Sequence, residues 1–378
     1  MSVQQESPIH LAPVQISPRE AGFDPVKLDD LDRHFQRLIA NGKLQGASYL
    51  LARRGKVFAH RSMGQLREDP VAGAFKPDSL RCVYSITKLV AAIAAMQLVE
   101  QGKLCLETFA CALIDEMQNP KHNQIQLWHL LTHCSGLPAD PGFYNEPYPH
   151  EWLSSRVKDN WITAALTGPT EYEPGTRSSY SSVGYAILGE IIARVSGQTF
   201  EAYVEEHILK PLGMKDSCFI VPESRFDEVC LNNAWQYERL LLRTPPHGIP
   251  QAAGGMYSTL ADLYRLGQMM LNKGAFDGVR ILSRKSVETM TRNWLPPNTE
   301  SYYWGNKLKA FEHGLGVQTY SNFGLVSPGT YAHEGAWHSA LFIDPQEELV
   351  VVYMVPNNPG WSQEAVIAPR GIIWSGLL

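Results

Sequence analysis

The stretch LVAAIAAMQLV, residues 89–99, leaves a helix without a polar face. A helix apolar around its whole circumference belongs at the centre of a large core or in a lipid bilayer. The run is interrupted at Gln97 and is well short of the ~20 residues a bilayer crossing needs. The chain therefore has to wrap a core around this segment. It has the material: 378 residues, 44% hydrophobic and 19% charged, a globular composition long enough for two domains. A net charge of -5 and the lack of any basic run give no electrostatic reason to expect nucleic acid or an anionic membrane as a partner. The N-terminal MSVQQESPIHLAPVQISPRE lacks the basic start and apolar run of a secretory leader. The six cysteines, without CxxC or paired spacing, read as reduced, mostly buried thiols. A soluble cytoplasmic protein is the expectation.

Strand-like segments gather at the two ends of the chain and helical ones in the middle. Leu28, Leu31, Phe35, Leu38 and Ile39 recur near helical spacing and predict a helix within residues 20–42, stopped by Gly42. GASYLLARRGKVFAHRSMG reads as a hairpin turning at Arg54-Gly55. A further helix is expected to begin at Ser85 and stop near Gly102. Between residues 105 and 250 the pattern is mostly helical, most clearly in SVGYAILGEIIARVSG and TFEAYVEEHILKPLGM. TLADLYRLGQMMLNKG adds one more helix, ended by Gly274. Strand character returns in HSALFIDPQEELVVVYMVP, two β-branched and aromatic runs joined at Asp344-Pro345. SQEAVIAPRGIIWSGLL predicts a terminal helix in spite of Pro369. The fold class expected is α/β (α+β): a body built from residues 1–104 and 251–378, with a mainly helical domain, 105–250, inserted between them.

Ser85 and Lys88 stand three positions apart at the mouth of the apolar helix. Serine is a favoured N-cap, which alone would account for Ser85. About one S-x-x-K is expected by chance in such a chain, and a second, Ser155 to Lys158, lies in the polar stretch WLSSRVKDN. Context separates the two. Lys88 is carried one turn into a buried helix, where low dielectric disfavours its charged form and suits it to take a serine proton. The helix N-terminus adds oriented N–H groups near developing negative charge. Tyr180, in PGTRSSYSSVGYAILGE, is either a half-buried packing residue or a phenol placed to pass a proton. His333, in TYAHEGAWHSALFIDP, is either structural or a site residue beside Gly335, where backbone approaches a ligand closely. Other chemistry is excluded. There is no G-x-S-x-G nucleophile elbow and no phosphate-binding glycine loop. His129 and His133 in WHLLTH have zinc-like spacing, but without the glutamate of H-E-x-x-H or a third ligand they read as helix-packing or capping residues.

Taken in order, these pieces resemble the serine β-lactamase and penicillin-binding-protein superfamily, closest to the class C β-lactamase-like hydrolases that include family VIII carboxylesterases. SITK at 85–88 is similar to the S-x-x-K motif, YSS at 180–182 to Y-x-N, and HEG at 333–335 to K-T-G or H-x-G. LLTHCSGLP, YEPGTRSSYSSVGYAILGEII, ILKPLGMKDS and AAGGMYSTLADLYRLGQMML support the match. The resemblance implies a β-lactamase/transpeptidase-like fold, an antiparallel sheet flanked by helices plus a helical domain, with the active site at their junction. It implies an acyl-enzyme on Ser85, with Lys88 and Tyr180 sharing the general-base role and Tyr180 protonating the leaving group. The backbone N–H groups of Ser85 and Ala336 would form the oxyanion hole. His333 would keep a polar or cationic group near the site, and water would hydrolyse the intermediate with no metal or organic cofactor.

The departures from the pattern bear on substrate. Ser182 stands where an asparagine is usual, so an amide that would orient substrate is lost. Glu334 replaces a threonine or serine; facing the cleft, it would repel a substrate carboxylate. Trp337-His338 would narrow the cleft beside the oxyanion hole. Tyr144 and Tyr148 in PADPGFYNEPYPHEW, and Trp304 in LPPNTESYYWG, are either ordinary loop residues or walls of an acyl or alcohol pocket. Ser182, Glu334, Gly335, Trp337 and these three aromatics are the substrate-binding candidates. The function expected is a serine hydrolase, a carboxylesterase on small esters with weak or no β-lactamase activity. A D-amino-acid peptidase, amidase or DD-peptidase keeps the same chemistry and is supported by His333, since H-x-G occurs in such relatives; Glu334 would also attract a substrate amine. A catalytically silent β-lactam-binding protein is the third reading. In each case the partner is a small ester, amide or short peptide.

Overall fold

The computed structural model describes residues 7–68, 73–139, 161–166, 170–241, 248–303, 306–308, 311–322, 324–356 and 362–378. Its centre is an eight-stranded antiparallel sheet. The strand order is His10–Leu11, Lys56–Gly64, Gly46–Arg53, Leu349–Met354, Ser339–Asp344, Thr330–Gly335, Gln318–Tyr320 and Glu312–His313. The two ends of the chain meet in the middle of this sheet, where Ser48 lies opposite Met354 and Arg53 opposite Leu349. Both hairpins expected from the sequence are present. Arg54 and Gly55 take φ of 52° and 72°, the two left-handed residues of a type I′ turn that matches strand twist. After Ser339–Asp344, the Asp344 carboxylate accepts the N–H groups of Gln346 and Glu347 at 3.1 and 3.2 Å, closing the turn beyond Pro345.

Strand alternation sorts the side chains onto two faces. Leu50, Ala52, Leu341, Ile343, Val350 and Val352 enter one apolar cluster, shared with the helices Thr87–Glu100 and Leu260–Leu271. Tyr49, Leu51, Phe342, Val351 and Tyr353 enter the other, under the helices Pro25–Ala40 and Ala368–Trp374. The first cluster runs without a break into the helix Ser182–Ser196 and the segment Phe200–Leu209. Thr87 to Met96 are all buried, as a helix without a polar face requires.

Two elements differ from expectation. Ser85 does not open the α-helix: Tyr84–Ile86 form a 3-10 turn and the α-helix runs from Thr87 to Glu100. The terminal helix is two, Gln363–Val366 and Ala368–Trp374. Pro369 lies in the first turn of the second, where its missing N–H costs no hydrogen bond. Among the described residues no helix is long and apolar enough to cross a membrane.

Candidate active site

Three local structures converge at the end of the buried helix. The first is the turn Tyr84–Ile86, entered through a Tyr84 held at φ 45°. Ser85 is buried, and its Oγ accepts a hydrogen bond from the Tyr180 hydroxyl at 2.7 Å and one from Lys88 Nζ at 3.1 Å. It caps nothing: the residue ahead of the α-helix is Ile86, and no side chain among the described residues closes that end. Lys88, one helical turn on, is 0% exposed. Its Nζ also donates to the Ala253 carbonyl at 2.7 Å and to Ser182 Oγ at 3.5 Å, and it lies 4.7 Å from the ring centre of Tyr180.

The second structure is the loop that starts the helix Ser182–Ser196. Ser181 is its N-cap, with Oγ accepting the Gly184 N–H at 3.0 Å. Tyr180 therefore stands one residue outside the helix, where its phenol reaches across to Ser85. Its own N–H goes to the Tyr302 carbonyl at 3.1 Å, and the Tyr303 ring meets its ring edge-on at 4.9 Å.

The third is the strand Thr330–Gly335 and the turn after it. Gly335 lies against the Val83 carbonyl, and a Cβ there would overlap that oxygen. Ser339 Oγ donates to the same carbonyl at 3.1 Å. The neighbouring Ala336 is exposed, and its N–H makes no hydrogen bond among the described residues. A hydroxyl flanked by a phenol and an amine, beside an uncommitted backbone donor, is a set suited to acyl transfer.

A beta-lactamase family model matches residues 31–370. The chain belongs to the beta-lactamase family. An uncharacterized protein of Mycobacterium tuberculosis is 28% identical over 387 residues, covering 92% of this chain and 94% of that one. A putative D-alanyl-D-alanine carboxypeptidase of Escherichia coli K12 is 26% identical over 381 residues, covering 91% and 85%. The crystal structure of a family VIII carboxylesterase superposes with a TM-score of 0.72 at 19% identity, covering 97% of this chain and 100% of that one. The fold is the β-lactamase/transpeptidase-like one, and the family and its structural neighbours are serine hydrolases.

Within this beta-lactamase family frame, several expected substrate contacts are corrected. Ser182 is 0% exposed and lies against Lys88, so it offers no surface to a substrate. Alternation puts His333 and Glu334 on opposite faces of their strand. Glu334 pairs with the buried Arg370 of the terminal helix, which also donates to the Tyr353 hydroxyl. It therefore presents no anion to the cleft, and neither the carboxylate repulsion nor the amine attraction expected of it arises. His333 is not cationic either. Burial, and then the charge of Lys88, push its pKa down to about 3. Its Nδ1 donates to the Glu334 carbonyl at 2.9 Å, which leaves Nε2 as a lone pair without a partner among the described residues. Trp337 packs half-buried on the cluster of Leu80, Cys82, Tyr84 and Tyr257, and its carbonyl accepts from the buried Arg81 at 2.7 Å. Tyr144, Tyr148 and Trp304, and the second S-x-x-K at Ser155, lie outside the described residues.

The two histidines of WHLLTH separate. His129 caps its short helix, its Nδ1 accepting the Gln126 N–H at 2.9 Å, and burial pushes its pKa down to about 4. His133 lies beyond that helix at φ 60°. Among the described residues no group of three or more His, Cys, Asp or Glu is placed to hold a metal. The Ala253 carbonyl that receives Lys88 went unnoticed in the sequence, because every residue carries a carbonyl. The only signal was its place in the supporting stretch AAGGM.

Proposed function

We propose that the protein is a carboxylesterase acting on small, uncharged esters through an acyl-enzyme on Ser85. The observation that carries this reading is the pair of hydrogen bonds converging on Ser85 Oγ, from Tyr180 at 2.7 Å and Lys88 at 3.1 Å. In the first step the Oγ–H bond breaks, Oγ bonds to the ester carbonyl carbon, and the proton passes to the Lys88–Tyr180 pair. The negative charge on the carbonyl oxygen is met by the N–H groups of Ser85 and Ala336. Collapse of this intermediate expels the alcohol oxygen, which takes its proton from Tyr180. Water then attacks the acyl carbon, gives a proton back through the same groups, and releases acid and free Ser85.

The substrate class rests on charge. A carboxypeptidase or β-lactamase substrate carries a carboxylate beside the bond it loses, and a cation at the third motif would attract it. Here that position is His333, held neutral with a pKa pushed down to about 3, while Glu334 is turned away and paired. Neither side chain supplies the attraction, which favours an uncharged ester over a D-alanyl peptide or a lactam.

A short-chain p-nitrophenyl ester should release a burst of nitrophenol stoichiometric with enzyme, and Ser85→Ala should lose both burst and turnover. Its kcat/KM should exceed that of a matched D-alanyl amide and of a chromogenic cephalosporin by about 100-fold or more. Full turnover by Ser85→Ala would overturn the acyl-serine step. A preference for the D-alanyl amide would overturn the substrate class alone.

A further inference from the structure

His133 belongs to none of the three motifs from which the site is assembled, yet it holds the residues on either side of Tyr180. Its carbonyl accepts the Ser179 N–H at 2.9 Å, and its Nδ1 accepts the Ser181 N–H at 3.0 Å. Its ring lies on the Tyr180 ring, with centres 4.4 Å apart and planes at 33°. With the Tyr180 N–H given to Tyr302, three consecutive backbone donors are committed, two of them to one histidine. We propose that His133 is a positioning residue that fixes the Tyr180 hydroxyl within proton-transfer distance of Ser85.

The need for it follows from how the helix behind Tyr180 begins. The N–H of an N-cap residue has no partner inside its helix, and in a capping box the side chain three residues on supplies one. Here that residue is Gly184, which has no side chain, while Ser181 Oγ is already used in accepting the Gly184 N–H. His133 Nδ1 reaches in from another part of the chain and completes the cap. The loop is thereby closed around Tyr180 instead of fraying at the helix end.

His133 is suited to this because it stays neutral. It is 1% exposed, and burial first, then the neighbouring His313, Lys88 and His333, hold its pKa well below the usual histidine range. An imidazolium has no lone pair on Nδ1 and could not accept from Ser181. Accepting through Nδ1 places the ring proton on Nε2. The Tyr172 hydroxyl also donates to the His133 carbonyl at 3.1 Å, holding the backbone at the φ of 60° that this double grip uses.

The proposal rests on the proton-transfer role of Tyr180, so the test measures both. The readout is the rate at which a fluorophosphonate labels Ser85, which needs no natural substrate, together with kcat and KM on the ester. Asparagine places an oxygen acceptor where Nδ1 stands and tolerates positive φ, whereas leucine is of similar bulk and accepts nothing. His133→Leu should label about 100-fold more slowly, with kcat falling and KM nearly unchanged. His133→Asn should keep the rate within about 5-fold of the parent. In a Tyr180→Phe background, His133→Leu should add little further loss. If the leucine variant does not fold, His133→Gln, whose amide reaches the Nε2 position instead, should be slow where asparagine is fast. Equal rates for the asparagine variant and a folded leucine or glutamine variant would overturn the positioning role, as would losses that add in the Tyr180→Phe background. Unchanged labelling in Tyr180→Phe alone would overturn the role of Tyr180 itself, a separate result.

Discussion

On one side of the sheet, Tyr49 donates its hydroxyl to Asp32 Oδ1 at 2.6 Å, and Arg61 pairs with the same carboxylate. On the side that holds the apolar helix, Tyr180 donates to Ser85 Oγ at 2.7 Å and Lys88 approaches the same oxygen at 3.1 Å. Each cluster is a buried tyrosine and a basic side chain converging on one acceptor residue. The acceptor makes the difference. Burial, and then the Asp32 charge, drive the Tyr49 pKa far up, so its phenol keeps its proton. A serine hydroxyl between a phenol and an amine keeps a proton to lose and a lone pair to use. The first arrangement suits stability and the second the reactivity proposed for Ser85, with nearly the same geometry.

Substitutions should pull the two clusters apart. The largest effect is expected from Ser85→Ala, which should lower ester turnover by about 10⁴-fold or more, while Ser155→Ala leaves it unchanged. A burst assay on both variants checks this. Tyr180→Phe should lower kcat by 10²–10⁴-fold, roughly, with little change in melting temperature. Its counterpart Tyr49→Phe should do the reverse, costing about 1 kcal/mol of stability with kcat intact. Gly335→Ala forces a methyl onto the Val83 carbonyl and should cost about 1–3 kcal/mol, with activity lost alongside. Asp32→Asn should lower the urea midpoint by the equivalent of about 2 kcal/mol, since Arg61 is then left without its charge partner, and leave kcat of the folded enzyme unaltered.

The last effect concerns pH. His333 has a native pKa of about 3, and His129 and His313 of about 4, below the value near 6.5 expected in the unfolded chain. Below pH 6.5 the unfolded chain binds protons that the native one does not, so stability is full above that pH and falls as pH drops toward 3–4. The urea midpoint should therefore be lower at about pH 5 than at about pH 7, and His333→Gln should shrink the difference. A difference that the variant leaves intact would remove His333 from this account.

The fold was legible where pattern and physics act locally. An all-apolar helix has to be buried, Arg54-Gly55 has to turn, and Asp344-Pro345 has to break a strand pair. The order Ser85, Lys88, Tyr180, His333 was legible through the motifs. What escaped depends on direction and distance. The direction of Glu334 is itself a local matter, since adjacent strand residues face opposite ways and His333 and Glu334 cannot both face the cleft. The part played by His133 is not: it accepts from a backbone N–H 48 positions further along the chain, and no side-chain pattern announces a backbone donor. Ser85 stands where the pattern predicts the start of a helix, and the intervening 3-10 turn leaves its oxygen free of capping duty.

The Val83 carbonyl carries a consequence for how such a protein could change. Gly335 rests on it and Ser339 donates to it, so the turn that carries Ser85 and the turn after the strand Thr330–Gly335 share a single reference point. New substrate preferences have to be acquired without disturbing that point. Laboratory evolution toward a bulkier ester should therefore leave Gly335 and Ser339 unaltered through successive rounds, while substitutions accumulate elsewhere.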